Sequence, residues 1–380
     1  MNEFEPSAFD KRMMQRALTL AKQGLYTTAP NPNVGCVICL DEQVVGEGAH
    51  LKAGEGHAEV HALTMAQDLA QGATAYVTLE PCSHFGRTPP CAQGLIDAKV
   101  KRVVCAMQDP NPQVAGRGIQ MLRDAGIEVD VGLYEDDAKA LNPAFIKTMQ
   151  TGLPFVQLKL AMSLDGKTAL ANGESQWITS PDARRDVQVY RAKAGAILST
   201  SRTVLRDNAS LNVRFDELPQ SVQDDYPSET VRQPVRLILN RNHSIKPDAI
   251  KDLKLFSTPG DVVMIEPNEC VYQEGVESFA PVIDSTAQID LRLLLQELAV
   301  RKQVNHIWVE AGSTLATSLL AQDLVDELIV YIAPKLMGDD AQGLTGFQGM
   351  TAMSETKNFT IQDVTQIGSD VRLTMTKPQE

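Results

Sequence analysis

The sequence predicts an α/β protein of two domains. Its 380 residues exceed the roughly 250–300 residues at which a single hydrophobic core stops growing. Strand-like and helix-like patterns alternate along the chain, which is typical of a mainly parallel sheet covered by helices. The stretch Thr151-Gly152-Leu153-Pro154 interrupts this alternation with turn-forming residues. We therefore expect one domain over residues 1–150 and another over residues 151–380.

In the first domain, apolar residues at helical spacing predict helices, and short apolar runs bounded by turn residues predict strands. The predicted helices are Ala8 to Lys22, Ala58 to Ala70, Pro90 to Ala98, Gly118 to Ala125 and Asp136 to Met149. The predicted strands are Val34 to Leu40, Gln43 to Glu47, Thr74 to Thr78, Arg102 to Ala106 and Glu128 to Val131.

The second domain begins again with a strand, Phe155 to Ala161. Ser180 and Pro181 are residue types favoured as the N-cap and the first residue of a helix, so a helix is predicted from Pro181 to Lys193. The polar stretch from Asp216 to Gln233 is predicted to be an irregular surface insertion. The other predicted strands are Val235 to Leu239, Val262 to Ile265, His306 to Glu310 and Glu327 to Ala333, and the other helices are Leu291 to Arg301 and Thr314 to Leu320.

The composition excludes several classes of protein. Lys and Arg total 35 against 48 Asp and Glu, a formal net charge of −13, whereas broad nucleic-acid binding needs a basic surface. No apolar run reaches the roughly 18 residues of a membrane helix, and the first ten residues lack the features of a signal peptide. Six cysteines are too few for a disulfide scaffold and favour a reducing compartment. We therefore expect a cytoplasmic protein with neither nucleic acid nor a membrane as a partner.

The clearest chemical signal is a set of residues suited to zinc. His57, Cys82 and Cys91 offer one imidazole and two thiolates, which leaves the fourth tetrahedral position open, as in catalytic zinc sites. Glu59 follows the histidine at the offset of the proton-transferring glutamate of zinc deaminases. Eight residues separate the two cysteines, whereas the general deaminase pattern has two.

Other cysteines and histidines are weaker candidates. Cys36 and Cys39 form a C-x-x-C inside a predicted strand, where residues three apart face opposite sides, so core packing is the better interpretation. His61 is interpreted either as a helix-packing residue or as a residue that supports a metal ligand without binding the metal. His50 and His84 are loop residues near the predicted site, and substrate contact and an ordinary structural role stay equally open for both.

The second domain contains one basic stretch inside an acidic chain. Between Arg184 and Arg214, seven basic residues face only two acidic ones, which fits either a solvated helix face or an anion pocket. The glycine pattern of a Rossmann dinucleotide fold is missing from the sequence. Gly312, Ser313 and Thr314 follow a predicted strand and open a helix, whose free N–H groups suit a cofactor phosphate.

With these residues assembled, the chain resembles the bifunctional riboflavin-biosynthesis deaminase/reductase family. The resemblance covers nearly the whole chain and is weakest over residues 216–233 and 242–286. The eight-residue gap between the cysteines is a feature of this family. The stretches that carry the resemblance are Pro30 to Gly35, Gly56 to Ala62, Leu79 to Cys91, Lys159 to Lys167, Glu174 to Thr179 and Val309 to Gly312.

The resemblance implies a cytidine-deaminase-like α/β/α domain with a mixed sheet, followed by a dihydrofolate-reductase-like α/β domain. The first domain would remove the 2-amino group of a diamino-ribosylamino-pyrimidinone 5′-phosphate with Zn²⁺, and the second would reduce the ribosyl side chain to ribityl with NADPH. A homo-oligomer, a dimer or a tetramer, is also implied.

The resemblance assigns site residues position by position. In the first domain, His57, Cys82 and Cys91 would bind zinc, Glu59 would carry the proton and Asn31 would contact the base. In the second domain, the substrate contacts would be Ser175, Arg191, Leu211, Arg214 and Glu310. The NADPH contacts would be Ala161, Trp177, Thr203, Asp207, Gly312, Ser313 and Thr314.

Some questions stay open at this stage. Asp165 and Glu310 are both candidates for the proton donor of the reduction. Arg191 and Arg214 are the preferred phosphate contacts, with Arg184, Arg185 and Arg206 as alternatives. Two other functions compete with the bifunctional enzyme: a deaminase of nucleic acid or free base with a non-catalytic second domain, and a zinc-stabilised binding protein.

Overall fold

The computed structural model describes residues 4–83, 89–112, 115–268, 270–272, 275–281, 283 and 289–378. The chain forms two compact units, Met1–Gly152 and Leu153–Glu380. Within the described ranges, no helix combines the length and the apolar character needed to cross a membrane.

The first unit is a five-stranded mixed sheet with helices packed against it. Its strands are β1 (Gly35–Leu40), β2 (Gln43–Ala49), β3 (Thr74–Val77), β4 (Arg102–Cys105) and β5 (Glu128–Val131). Its helices are α1 (Ala8–Ala21), α2 (Ala58–Ala66), α3 (Cys91–Asp97), α4 (Arg117–Asp124), α5 (Glu135–Leu141) and α6 (Pro143–Thr151), with short 3₁₀ helices at Lys22–Gly24 and Gln67–Ala70. The strand order is β2-β1-β3-β4-β5.

The sheet is mixed because β1 and β2 form a hairpin. Asp41 and Glu42 both have positive φ angles, 48° and 63°, which is the backbone of a two-residue hairpin turn. As a result β1 runs antiparallel to both β2 and β3, while β3, β4 and β5 are mutually parallel. The expectation of a mainly parallel sheet, drawn from alternation alone, is corrected in this respect.

The predicted helix from Asp136 to Met149 is two helices in the structure. Helix α5 ends at Leu141 and α6 begins at Pro143, because a proline ring cannot continue a helix through its own position. Asn142, between them, accepts a hydrogen bond from the N–H of Asn33 (2.7 Å) and donates one to the Asn33 carbonyl (2.9 Å). Asn142, at the break between the two helices, therefore also anchors the segment that precedes β1.

The second unit contains a nine-stranded sheet, in the order β11-β10-β9-β8-β12-β6-β13-β16-β15. Its strands are β6 (Phe155–Ser163), β8 (Ala196–Thr200), β9 (Val235–Leu239), β10 (Val262–Ile265), β11 (Val276–Phe279), β12 (His306–Glu310), β13 (Glu327–Ala333), β15 (Thr360–Ile367) and β16 (Asp370–Thr376); β7 (Lys167–Ala169) and β14 (Gln342–Gly343) form a separate ribbon. Its helices are α7 (Pro181–Lys193), α8 (Ser201–Asp207), α9 (Gln220–Asp225), α10 (Lys254–Ser257), α11 (Leu291–Arg301) and α12 (Ser313–Ala321), with 3₁₀ helices at Phe215–Glu217, Pro247–Asp252 and Met353–Glu355. Among the described residues of this sheet, strand β16 pairs antiparallel with β13 and with β15, and all other neighbouring strands are parallel.

Helix α7 has the predicted bounds, and the Ser180 side chain caps it by accepting from the Ala183 N–H. The stretch from Asp216 to Gln233, predicted to be irregular, contains the short helix α9. Strand β15 was not predicted, since most of its residues are exposed on both faces and show no apolar alternation.

The large sheet is buried on both faces around its centre. Successive residues of one strand fall into different apolar clusters: Leu198 belongs to one and Ile197 to the other, as do Val309 and Trp308. Such burial on both faces is typical of parallel sheets. The carboxyl ends of the central strands β8, β12 and β6 meet at one edge, where polar side chains gather.

Two glycines allow helix α2 to lie directly against strand β2. A Cβ atom built on Gly46 would lie 2.2 Å from the Ala62 carbonyl oxygen, and one on Gly48 would lie 2.5 Å from the Ala58 carbonyl oxygen. Side chains two apart on a strand share a face, so both positions face the same helix. The start of α2 is therefore held at a distance that any side chain here would increase.

Replacing Gly48 with alanine should lower the free energy of unfolding by about 1–3 kcal/mol, because the helix must move outward to make room. Denaturation followed by circular dichroism measures the loss. Tryptophan fluorescence follows the unfolding of the second unit alone, since Trp177 and Trp308 both lie there. This unfolding should not change and serves as the reference.

Gly94→Ala is the matched control. Its added Cβ would meet only Leu63 Cδ1, at an ordinary 3.5 Å, and alanine in a helix interior is more stable than glycine by about 0.5–1 kcal/mol. If Gly48→Ala and Gly94→Ala had equal free energies of unfolding, Gly48 would not be needed for the close packing of α2 against β2.

Candidate active sites

The first site lies where α2, α3 and the segment after β3 meet. His57 is the N-cap of α2, and Glu59 lies in the first turn of that helix. Cys91 is the first residue of α3, and Cys82 lies five residues beyond the end of β3. The structure thus brings together all four residues predicted for zinc chemistry.

The three predicted ligands converge on one point. His57 Nδ1 lies 3.2 Å from Cys91 Sγ and 3.7 Å from Cys82 Sγ, and the three atoms lie within 4.8 Å of one another. A tetrahedral ion with bonds of about 2.0–2.3 Å separates its nitrogen and sulfur ligands by ~3.3–3.8 Å. Both the donor types and their spacing therefore fit zinc.

Local hydrogen bonds favour a thiolate at Cys82. The backbone N–H of Cys91, at the start of α3, donates to Cys82 Sγ over 3.2 Å. Hydrogen bonds from the Cys91 thiol and from His57 lower the pKa of Cys82 to about 4, although burial opposes the shift. The same sulfur, together with burial, raises the pKa of Cys91. A bound cation is what allows both sulfurs to be thiolates at once.

Glu59 is suited to moving a proton near neutral pH. Its side chain is only 3% exposed, and burial raises its pKa to about 7. A group whose pKa lies near the working pH is the most effective proton carrier, because both of its protonation states are accessible.

Asn31, the predicted base contact, is positioned by a buried histidine. The Asn31 amide donates to His50 Nε2 (3.1 Å), and His50 Nδ1 donates to the Gly56 carbonyl (3.1 Å). Burial lowers the pKa of His50, which matches a neutral ring with both nitrogens engaged. Of the two interpretations left open for His50, the structure supports the structural one; His84 lies outside the described residues.

Glu80 is a site residue that sequence reasoning missed. Its buried carboxylate accepts hydrogen bonds from the backbone N–H groups of Asp109, Gly116, Gly118 and Ile119, over 2.8–3.2 Å. Two of these groups belong to the first turn of α4, where an anion is favoured. Glu80 therefore fixes the segment that carries Cys82. Its position two residues before that cysteine is the feature of the sequence that could have identified it.

The remaining cysteines of the first unit are core residues, which confirms the interpretation of Cys36 and Cys39. Cys36, Cys39 and Cys105 are buried in its apolar cluster. His61 is exposed and does not belong to the ligand cluster.

The second site is a cavity of about 700 Å³ in the second unit. It opens at the carboxyl edge of β6, β8 and β12, which is the usual position of ligand sites in parallel sheets. Every residue that the resemblance assigns to substrate or NADPH in this domain lines it: Ala161, Ser175, Trp177, Arg191, Thr203, Asp207, Leu211, Arg214, Glu310, Gly312, Ser313 and Thr314.

Glu310 is held as a fixed anion in this cavity. Arg191 binds it through two hydrogen bonds, Nε to Oε1 (2.6 Å) and Nη2 to Oε2 (2.9 Å), and Trp308 Nε1 donates to Oε1 (2.8 Å). Burial acts to raise the pKa of Glu310, but the charge and hydrogen bonds of Arg191 prevail and lower it to about 2. Glu310 is thus ionised at neutral pH and is not a proton donor.

Asp165, the other candidate donor, has a structural role instead. It accepts hydrogen bonds from the Met337 and Gly338 N–H groups, both 2.9 Å, and from the Ser163 hydroxyl. The Ser163 bond and these backbone bonds lower its pKa to about 2. It does not line the cavity, so its position does not support the second of the two candidates left open for the proton donor.

Lys159 is a cavity residue that sequence reasoning missed. It projects from β6 into the cavity, among Asp207, Glu310 and Arg191. Burial lowers the pKa of its ammonium group, which makes the proton easier to release. A single lysine within the apolar run of β6 was the available sequence signal.

The predicted phosphate contacts already have carboxylate partners. Arg191 is paired with Glu310, and Arg214 forms an ion pair with Glu217 over 2.7 Å. Of the alternatives, Arg184 and Arg206 line the cavity, whereas Arg185 pairs with Asp182 and does not line it. The phosphate contact therefore stays a prediction, with Arg184 and Arg206 joining the first two candidates.

Trp177 is an exposed residue that lines the cavity. Its side chain is 62% exposed, and the Arg184 guanidinium lies 4.3 Å from the centre of its ring. An exposed aromatic ring supported by an arginine is suited to stacking against a planar ligand.

Comparisons with known proteins identify the family that each domain matches. Residues 7–107 match the family "Cytidine and deoxycytidylate deaminase zinc-binding region", and residues 154–373 match the family "RibD C-terminal domain". The riboflavin biosynthesis protein RibD of Haemophilus influenzae is 53% identical, over 98% of this chain and 98% of the relative.

Two solved structures match the whole fold. RibD of Acinetobacter baumannii superimposes with a TM-score of 0.88 at 46% identity, covering 98% of this chain and 99% of that one. A Thermotoga maritima protein, described as a diaminohydroxyphosphoribosylaminopyrimidine deaminase/5-amino-6-(5-phosphoribosylamino)uracil reductase, has a TM-score of 0.82 at 33% identity, covering 97% and 99%. The predicted α/β class and the predicted family are confirmed, and the chain belongs to the RibD family of riboflavin biosynthesis proteins.

Proposed function

We propose that this chain performs two consecutive steps of riboflavin biosynthesis. The first is the deamination of 2,5-diamino-6-ribosylamino-4(3H)-pyrimidinone 5′-phosphate, and the second is the NADPH-dependent reduction that gives 5-amino-6-(5-phosphoribitylamino)uracil. The observation that carries the proposal is the presence of two separate reactive sites in one chain: the His57, Cys82 and Cys91 cluster with buried Glu59, and the cavity around Glu310. The description of the Thermotoga maritima relative names the same two activities.

In the deamination, His57, Cys82 and Cys91 would hold zinc, which lowers the pKa of water and supplies a nucleophile at neutral pH. Glu59 accepts the proton of the attacking water on its carboxylate. It then passes that proton to the departing amino group, which leaves as ammonia. Asn31, oriented by His50, contacts the pyrimidine ring.

In the reduction, NADPH supplies the hydride. The first-turn N–H groups of α12, at Ser313 and Thr314, are positioned to hold a cofactor phosphate. Trp177, Thr203, Asp207 and Ala161 complete the proposed NADPH contacts. The substrate would lie against Ser175, Leu211, Arg191, Arg214 and Glu310.

Each hydride requires one proton, and Lys159 is the cavity residue best suited to provide it. Neither Asp165 nor Glu310 carries a proton at neutral pH, whereas the buried Lys159 ammonium has a lowered pKa. Lys159 also lines the cavity, where the charges of Glu310 and Asp207 act on its ammonium group.

The two competing functions lose their support. A zinc-stabilised binding protein does not require a buried Glu59 beside an open coordination position. A deaminase with a non-catalytic second domain does not account for the cavity, nor for the match of residues 154–373 to the RibD C-terminal domain. The homo-oligomer and the cytoplasmic location stay predictions; light scattering of the purified chain and cell fractionation would check them.

Glu59→Gln should reduce deamination by about 10²–10⁴-fold, because it removes the proton carrier. In an assay that follows NADPH absorbance, wild type should consume NADPH from the diamino substrate, and the variant should do so only with the deaminated intermediate. The exposed Glu55→Gln serves as the control. If wild type deaminates the substrate but never consumes NADPH, the proposed second activity is wrong.

Cys91→Ser should lose zinc from the first site and lose deamination, since one of three metal ligands is removed. Oxidation of NADPH with the deaminated intermediate should continue at the wild-type rate. Metal analysis and the two separate assays check this. Loss of both activities would show that the two domains do not function separately.

Lys159→Met should reduce NADPH oxidation by about 10²–10⁴-fold, the usual contribution of a proton donor, and leave deamination unchanged. The exposed Lys251→Met is the matched control. Comparison of kcat with KM separates proton delivery from substrate binding. A variant that raises KM alone would assign Lys159 to binding.

A further inference from the structure

A second group of possible metal ligands lies in the reductase domain, away from the cavity. His243 is in the turn that follows β9, Glu266 comes directly after β10, and Cys270 lies four residues further. Because β9 and β10 are parallel neighbours, their carboxyl ends lie side by side. None of the three residues lines the cavity, and they lie where the resemblance to the family is weakest.

The three side chains converge on one point. His243 Nδ1 lies 3.3 Å from Glu266 Oε1 and 3.5 Å from Cys270 Sγ, and all three ligand atoms lie within 4.8 Å of one another. A catalytic cysteine–histidine–carboxylate relay uses the two different nitrogens of the ring, one for each partner. Here a single nitrogen faces both partners, which is the arrangement around a shared cation.

The Glu266 carboxylate is fully buried among neutral hydrogen-bond donors. Its side chain is 0% exposed, and it accepts hydrogen bonds from Asn240 Nδ2 (2.6 Å), the Tyr272 hydroxyl (2.7 Å) and the Ser278 hydroxyl (3.3 Å). Within the part of the chain that the structure describes, its one ion-pair partner is His243. A buried carboxylate is stable when it is paired with a cation or bound to a metal.

The protein holds these ligands in place through its own hydrogen bonds. Asn240 closes the turn, donating to the Ile245 carbonyl (2.9 Å) and accepting from the Ile245 N–H (3.1 Å), and the same amide contacts Glu266. The Ser278 hydroxyl accepts from the Cys270 N–H (3.0 Å). The turn and the segment after β10 are thus positioned independently of any ion.

We propose that His243, Glu266 and Cys270 bind a zinc ion that fastens the turn after β9 to the segment after β10. One nitrogen, one oxygen and one sulfur ligand form a set that zinc accepts and that magnesium and calcium do not favour. With three protein ligands, water would take the fourth position. Because none of the three residues lines the cavity, the ion would connect the two segments and take no part in the reduction. The proposal is independent of the two reactions, which do not involve these residues.

Counting zinc in the purified full-length chain, after dialysis against a weak chelator, tests the proposal. Wild type should hold two equivalents per chain. Cys270→Ser and His243→Ala should each hold one and keep deamination, whereas Cys91→Ser should hold one and lose it. Cys39→Ala is the control for removing a cysteine and should still hold two.

Cobalt absorption provides a second readout that does not depend on counting zinc. In a Cys82→Ser/Cys91→Ser protein, added Co²⁺ should produce the near-ultraviolet absorption of a thiolate–cobalt bond, and Cys270→Ser should abolish it. A wild-type chain with one zinc, lost in Cys91→Ser and unchanged in Cys270→Ser, would overturn the proposal. So would a second zinc that persists in both Cys270→Ser and His243→Ala, or the absence of the cobalt band.

Discussion

The distance between helix α2 and strand β2 determines whether the zinc cluster can form. His57 and Glu59 both belong to the start of α2, so their positions follow from how closely that helix packs against the sheet. Gly46 and Gly48 permit a backbone-to-backbone approach that no side chain would allow. On the other side of the cluster, Glu80 fixes the segment that carries Cys82. The Glu80 carboxylate accepts hydrogen bonds from four backbone N–H groups. Ligands from three separate elements therefore converge because the backbone between them is rigidly packed.

The two domains use buried glutamates in opposite ways. Glu59 is buried with no basic residue bonded to it among the described contacts, so burial raises its pKa to about 7 and the group can exchange a proton. Glu310 is also shielded from water, but Arg191 and Trp308 bind it, and its pKa falls to about 2. The same residue type is thereby a proton carrier in one site and a permanent anion in the other. The difference comes entirely from the neighbouring side chains.

The sequence predicts best what depends on residues close together along the chain. The bounds of α7 follow from Ser180 and Pro181, and the zinc ligands follow from short motifs. It predicts less well what tertiary contacts decide. Lys159 and Glu80 acquire their roles from groups distant in sequence. The sequence could not decide between Asp165 and Glu310 as proton donor, because the Met337 and Gly338 N–H groups that bind the Asp165 carboxylate lie far along the chain. The overlooked Pro143, which divides one predicted helix into α5 and α6, was in contrast visible in the sequence.

Strand β6, near the centre of the large sheet, also affects how the chain folds during synthesis. Strand β6 pairs with β12 on one side and β13 on the other, and Gln157 bonds to His306, 149 residues later. During synthesis β6 therefore emerges long before either neighbour exists, with unpaired N–H and C=O groups along both edges that can pair with wrong strands. The first domain pairs its strands with near neighbours and is complete by then. The reductase half of the polypeptide therefore exposes an unpaired strand for longer during translation than the deaminase half does.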